Sequence, residues 1–590
     1  MNTKIPYYNN QIEIHQNILK HLYKKLTLYS FLRLCVFLII AIAIYYTFQQ
    51  WKLCMIITII GITVFLIILN YHTNKKAKYD LHKKTLELLH QEIKIINGDY
   101  HDRPEGLEFH NPKHFFSIDI DLFGKGSFFQ YLNRTTIKEG SRVLAELLKS
   151  NDINDIKLKQ NAIKDLSKIP EWRIKYNATS SLIKVETEAS QIINWLKHYT
   201  SIFKKSIQWL PLSFSVLSVL LISLAFFKII DAYVPFFWLL IGLGIVAFYL
   251  KKINVLAIHT SKLKATFKQY ALLLEQIETE NFSSKLLKEK QELIKSDHKN
   301  ASYIFSEFSK QLDAFDNRNN LIVAIFGNGF LLSDIKNAYR LEQWILKHNH
   351  KINDWFEVIS FFDAYNSLGN FAFNNMGYVY PNIINSNTTV INANDLGHPL
   401  LKTDKLVSNN ISINKEQFFI VTGANMAGKS TFLRTVSLHI VMANVGLPVC
   451  ASTSEYNPVK LITSMRTTDS LSDDSSYFFA ELSRLKFIVN EISKEPYFII
   501  LDEILKGTNS TDKAIGSRKF VEKLVSSKAT GIIATHDLSL CEIEKELNEV
   551  KNYYFDAEIL NNELHFDYKF KKGICKNMNA SFLLKKMQII

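Results

Sequence analysis

Residues 421–435 read VTGANMAGKSTFLRT. Within them, Gly423-Ala-Asn-Met-Ala-Gly428-Lys429-Ser430 has the spacing G-x-x-x-x-G-K-[ST] of a loop that can hold a triphosphate. The glycines let backbone N–H groups wrap the phosphates, and the N-terminus of the following helix adds partial positive charge. Lys429 can reach the β- and γ-phosphates, and the Ser430 hydroxyl can join the shell of a Mg²⁺ ion. Gly423, Ala424, Asn425, Met426, Ala427, Gly428, Lys429, Ser430 and Thr431 are therefore the expected nucleotide loop. A tight strand–helix turn with a chance lysine is the plainer alternative.

A second stretch works against that alternative. YFIILDE, Tyr497 to Glu503, is apolar until it ends in paired carboxylates. Asp502 is placed to hold Mg²⁺, and Glu503 can orient and deprotonate a water, because hydrolysis needs a base separate from the metal ligand. TGIIATHD then ends at Thr535-His536-Asp537, where His536 can donate to the γ-phosphate or to the water. Together the three stretches imply an ATP hydrolase, with ATP and Mg²⁺ as cofactors and Glu503 and His536 as catalytic groups.

These residues need strand ends to carry them. From about residue 391 short β-type runs alternate with helical ones, as an α/β domain requires. EQFFIVTG reads as a buried strand before the loop and STFLRTVSLHIVMA as the helix after it. Upstream, KEGSRVLAELLKSNDINDIKLKQNAIKDLSKI and HTSKLKATFKQYALLLEQIETENFSSKLLKEKQELIK carry apolar residues at three- and four-residue spacing and predict helices.

Four runs are apolar on all faces: 34–51, 53–71, 206–227 and 232–250. Each is about the ~20 residues that cross a bilayer as helix, so two transmembrane hairpins are expected. Basic residues crowd the outer flanks (KHLYKK, HTNKKAKYDLHKK, KKINVLAIHTSKLK), while the turns hold only Lys52 and Lys228. That asymmetry predicts a multi-pass membrane protein with both termini and the nucleotide site cytoplasmic. The net charge of +14, from 70 Lys+Arg against 56 Asp+Glu, either attracts anionic partners or fixes that orientation. The cysteines (Cys35, Cys54, Cys450, Cys541 and Cys575) form no CxxC pair, which argues against a disulfide framework or structural zinc. The opening MNTKIPYYNNQIEIHQ lacks the layout of a signal peptide.

With these motifs in view, the chain resembles the MutS family of ABC-type ATPases. TGANMAGKST is similar to the family's T-G-x-N-M-x-G-K-S-T, and LDEILKGTNSTDKA to its D-E-x-x-x-G-T-x-x-x-D. ATHD resembles its switch histidine, LGHPLL its G-R-H-P-x-L, and FDYKFKKGICKNMNASFLLKKM its closing stretch. Upstream, FSIDIDLFGKGSFFQYLNRTTIKEGSRVLAELL resembles the start of the helical core. The resemblance implies a homodimer that sandwiches two nucleotides, DNA binding and a link to mismatch repair. It implies that Ser476 reaches the other subunit's γ-phosphate and that Asn509 to Asp512 communicate across the dimer. It divides the chain into an N-terminal region with one hairpin (1–115), a helical core and lever domain interrupted by the second hairpin (116–390), and a P-loop ATPase domain (391–590).

The departures also matter. About 115 residues with a membrane hairpin stand where the family has its mismatch-reading and connector domains. Phe305-Ser306-Glu307 repeats the reader's Phe-x-Glu in a helical stretch and is read as coincidence. The second hairpin falls where the family inserts its DNA clamp, and Asp474 replaces a glycine near Ser476. Three outputs stay open: a membrane-anchored DNA-linked ATPase, a membrane scaffold or remodelling ATPase without DNA, and a transporter. Few polar groups lie within the spans, which makes a poor transport pathway.

Overall fold

The computed structural model describes residues 4–183, 188–295, 299–402, 404–424, 426–466, 477–506, 508–560 and 563–575. The chain opens with two long helices, Ile5–Thr47 and Trp51–Ile96, packed antiparallel. The rings of Tyr29 and Tyr71 stack across the pair, and the Nδ1 atoms of His15 and His82 lie 2.8 Å apart. The expected runs 34–51 and 53–71 are only the far half of this hairpin. Its turn falls at residues 48–50, so Trp51 and Lys52 belong to the second helix and Lys52 is not the turn residue. The turn instead takes the polar pair Gln49-Gln50, whose side chains gain from water at a helix break.

Along the far half the large side chains point outward: Phe37, Ile39, Ile59 and Ile67 are all more than half exposed. The near half behaves differently and is built into the helical core. Tyr8 is fully buried and donates to Asn374 Oδ1 at 2.8 Å. Glu92 is ion-paired with Arg134 and accepts from Asn370 and Asn374 at 2.9 and 3.1 Å. A buried charge persists only when it is paired and hydrogen-bonded, and this one is met from all three of those side chains. The first hairpin is thus joined to the helical core by a buried polar network.

The spine of the core is one helix, Ser333–Asn374, of 42 residues. Its Asp363 accepts from the Thr136 N–H at 3.0 Å, the Thr136 hydroxyl at 2.9 Å and the Ile137 N–H at 3.2 Å. Here the NRTTIKEGSR stretch acquires a physical meaning. A Cβ on Gly140 would lie 2.1 Å from Asp363 Oδ2, so only glycine lets helix Lys138–Lys149 approach the spine. Phe305 is fully buried against Phe267 and Trp355, at ring separations of 4.8 and 5.4 Å, which makes the Phe-x-Glu a core packing feature.

The second hairpin pairs Trp209–Phe226 with Tyr233–Thr260. A 3₁₀ turn over Lys205–Gln208 precedes it, so the regular helix starts three residues later than the expected run, and its second helix continues ten residues past Leu250. With the two helices of the first hairpin, these are four helices long and apolar enough to cross a bilayer.

The C-terminal domain is built on a six-stranded sheet in the order Lys571–Lys572, Val550–Phe555, Phe418–Gly423, Thr530–Ala534, Tyr497–Asp502, Lys460–Ser464. The last five strands run parallel and the first is antiparallel. Phe418–Gly423 and Thr530–Ala534 are buried at every residue, as strands covered on both faces must be. A smaller four-stranded sheet, including Thr389–Leu396 and Asn409–Asn414, packs beside it. Residues around the 115/116 boundary dock here: Phe115 stacks on Tyr497 with its ring 5.7 Å away, and its carbonyl accepts from the Thr463 N–H at 2.9 Å. Asp121 pairs with Arg434 at 3.0 Å and also with Arg466. Arg434 lies on helix Lys429–Val445, directly after Gly428, so the core touches the C-terminal domain through that helix.

Candidate nucleotide site

Strand register brings the three motifs together. Val421 and Asp502 both pair with Ala534, one from each side. The loops leaving the three strands therefore emerge side by side at the carboxyl edge of the sheet, where open α/β sheets bind ligands. Gly423 has φ +145°, and a Cβ there would lie 2.6 Å from the Phe555 carbonyl oxygen. Gly428 has φ +104° and precedes helix Lys429–Val445. Both positions exclude a side chain. Met426 also has positive φ, at 66°, with its side chain 80% exposed, and Ala427 is buried. Asn425, Ser476 and Asp474 lie outside the described residues.

The Lys429 side chain is buried and folds back along the loop, donating to the Gly423 and Ala424 carbonyls at 2.7 and 3.0 Å. Its amine also lies 3.2 Å from His536 Nε2. Burial lowers its pKa, and the nearby Asp502 and Glu503 carboxylates oppose that shift. Burial likewise lowers the pKa of His536, reinforced by Lys429 and opposed by Glu503. The imidazole is thus held in its neutral form at pH 7.

Ser430 Oγ donates to Asp502 Oδ2 at 2.7 Å, so a hydroxyl and a carboxylate converge on one point. These are oxygen donors of the type Mg²⁺ takes when phosphates and water complete its octahedron. Ala424, Met426, Gly428, Lys429, Ser430, Thr431, Asp502, Glu503 and His536 border a cavity of about 1070 Å³ whose far wall includes His398, Leu401, Phe566 and Tyr568. Cationic loop, oxygen pair and partly aromatic wall fit a magnesium-bound nucleoside triphosphate.

Glu503 sits in the left-handed region, φ 48°, and its N–H donates to the Ala534 carbonyl at 2.9 Å. Its carboxylate faces His536 Nε2 at 3.3 Å and Lys506 Nζ at 3.6 Å. The turn after it is held by Glu481 on helix Tyr477–Ile492, which accepts from the Leu505 and Lys506 N–H groups at 2.6 and 3.0 Å. In the sequence Glu481 stands out only as the acid of the SYFFAEL stretch. Its contact with the loop beyond Glu503 depends on tertiary packing.

Asn509 and Asp512, which the resemblance implies to be nucleotide-site residues communicating across the dimer, are bonded to each other within this chain. Asn509 caps helix Ser510–Ser526, accepting from the Asp512 N–H at 2.8 Å and donating to its carboxylate at 2.7 Å. Neither residue lines the cavity. An Asn before a helix satisfies N–H groups left free by the first turn, which is the local role of Asn509 here.

Residues 419–586 match the family model for MutS domain V.

Over these residues the C-terminal domain is similar to MutS domain V.

Its relatives include the human MutS protein homolog 4, 34% identical over 194 residues, which is 31% of this chain and 20% of that protein. The DNA mismatch repair protein MSH4 of Arabidopsis thaliana is 32% identical over 200 residues, 33% of this chain and 25% of the relative. The DNA mismatch repair protein MutS of Persephonella marina is 31% identical over 242 residues, 40% of this chain and 27% of the relative. The chain spans about a quarter of the length of these relatives. They support membership of the MutS family through MutS domain V and leave both hairpins uncovered by the family model.

Proposed function

We propose that this chain is a membrane-anchored MutS-type ATPase, a dimerisation switch driven by ATP and partnered with DNA. The observation that carries it is the convergence of Lys429, Ser430, Asp502, Glu503 and His536 on one cavity edge. Lys429 would leave its loop carbonyls for the phosphates, exchanging two neutral acceptors for an anion that offsets its burial. Bound Mg²⁺ supplies charge neutralisation at the β- and γ-phosphate oxygens, and Ser430 and Asp502 would hold it. Glu503 takes the proton from an attacking water, and neutral His536 orients that water. Ser476 of the partner subunit completes the site, as the family resemblance implies.

The relatives named as DNA mismatch repair proteins support a DNA partner. So does a second cavity, of about 1000 Å³ between the helices of the core, lined by Lys295, Lys310, Arg340, Lys347 and Lys351 with Glu307 as the acid. The four apolar helices support a multi-pass location with the ATPase domain on the cytoplasmic side, given the basic flanks. A second reading, a lipid-responsive scaffold ATPase without DNA, draws on the same outward-facing apolar surface of both hairpins.

ATP hydrolysis by the full chain in liposomes, measured with duplex, branched and mismatched DNA and with lipid alone, separates the two. The DNA-linked reading expects stimulation by DNA and binding that weakens steeply with salt. Turnover that ignores DNA but tracks lipid composition would replace it with the scaffold reading, and absence of nucleotide binding would remove both.

A further inference from the structure

Twelve uncharged residues, LIVAIFGNGFLL from Leu321 to Leu332, lie between Arg318 and Asp334. They are too few to span a bilayer, for which about 20 are needed. In a water-facing fold such a run belongs in the core. Here Leu321, Ile322 and Phe326 are 73%, 68% and 55% exposed, while the polar Asn328 is 5% exposed. The pattern is apolar outside and polar inside.

The run does not stand alone but lies against the second hairpin. Gly242 and Gly329 meet so closely that a Cβ on Gly242 would fall within van der Waals overlap of the Gly329 carbonyl. Contact of small residues is how helices pack where lipid, not water, surrounds them. Ser218 Oγ donates to the Phe330 carbonyl at 2.7 Å and accepts from Trp238 Nε1 at 2.8 Å. Ser218 lies halfway along helix Trp209–Phe226. At the other end, Arg318 Nη2 donates to Asn254 Oδ1 at 2.7 Å, just beyond the basic pair Lys251-Lys252. Asn254 and Gly242 are twelve residues apart on one helix, a rise of ~18 Å.

The backbone of the run is paired by its own helical turns and by neighbouring side chains. A π-helical turn over Val323–Gly327 passes into a short α-turn over Asn328–Leu331. Asn328 Oδ1 accepts from the Asp334 N–H, and the Ser333 hydroxyl donates to the Gly327 carbonyl, both at 2.9 Å. Irregular backbone at bilayer depth requires such internal pairing.

We infer that Leu321–Leu332 is a re-entrant segment, dipping to about mid-bilayer beside the second hairpin and presenting Leu321, Ile322 and Phe326 to lipid acyl chains. This rests on the membrane reading of the hairpins above and adds to it a third inserted element. Because Ser333 opens the long spine helix, that helix starts from within the membrane-embedded cluster.

The test uses the full chain in vesicles of phosphatidylcholine and phosphatidylglycerol that contain a phosphatidylcholine with a photoactivatable diazirine on its acyl chain. After irradiation, adducts are mapped by peptide mass spectrometry. The expected result is labelling of both hairpins and of Leu321–Leu331, with Ile322→Lys/Phe326→Asp cutting labelling of the latter at least tenfold while hairpin labelling persists. Labelled hairpins with an unlabelled 321–331 stretch in the unsubstituted chain would overturn this inference and leave the membrane reading intact. That result is also expected if a second copy of the chain covers the segment. No labelling anywhere would remove both.

Discussion

The imidazole of His536 stands 3.3 Å from the carboxylate of Glu503, across the gap between the ends of two adjacent parallel strands. Lys429 reaches the same imidazole from the phosphate loop, so one neutral ring touches both a cation and an anion. Removing charge from Glu503 should therefore uncouple hydrolysis from binding. Glu503→Gln keeps shape and backbone and is expected to lower turnover by ~10²-fold or more, the usual worth of a general base. Nucleotide affinity should stay within a few-fold, and the ATP-bound protein should accumulate as a dimer. Single-turnover hydrolysis and light scattering check this; normal turnover would remove Glu503 as the base.

Lys429→Ala tests the loop itself. The buried amine is the one cation within reach of both loop carbonyls and His536 among the described residues. Losing a charge-assisted contact of ~1.5–3 kcal/mol predicts at least a tenfold loss of ATP affinity. Titration with a fluorescent ATP analogue reads the effect directly, and unchanged affinity would reject the assignment.

Glu481 touches no expected ligand group, yet it fixes two N–H groups of the turn after Glu503. Glu481→Gln can satisfy only one of them as acceptor. Turnover should drop several-fold with little change in ATP affinity, whereas a purely structural residue would lower thermal stability and leave the turnover of the folded fraction alone.

Gly140→Ala places a methyl against the Asp363 carboxylate, which is already fixed by three donors. Overpacking of this kind costs ~1–3 kcal/mol. A lower midpoint in detergent-solubilised thermal unfolding is expected, and equal midpoints would show that the spine yields there.

Burial raises the carboxyl of Asp363 to about 7, with the Ile137 and Thr136 hydrogen bonds opposing the shift. A folded-state value above the unfolded one contributes stability that is complete below the unfolded pKa, ~4, and lost as pH rises towards 7. Asp363→Asn should flatten that slope between pH 4 and 7 in unfolding experiments. An unaltered slope would assign it to another group.

Much of this architecture is legible in the sequence because the signals are local. The glycine-rich loop between strand and helix, the LDE strand end and the four apolar helices each depend on a few consecutive residues, and the structure has each of these elements, with shifted bounds in the hairpins. The remainder depends on packing. Leu321–Leu332 is shorter than a span, so its exposure becomes visible only beside Ser218 and Gly242. The first hairpin continues as helix to Ile5 and Ile96 because Tyr8 and Glu92 find partners on the spine, hundreds of positions away. Asn509 and Asp512 carry residue types that suit either a subunit contact or a helix cap, and within one chain the cap decides their bonds.

The spine Ser333–Asn374 is one unbroken helix of 42 residues, ~63 Å long. It has no proline and only one glycine, Gly369, so nothing in it is built to absorb a bend. Such a rod works as gearing: a tilt of ~5° at the end carrying Asn370 and Asn374 sweeps Ser333 through ~5 Å, as a straight helix of that length requires. A rearrangement too slight to disturb packing near the C-terminal domain is thereby magnified at the opposite tip into a stroke comparable to one helical turn.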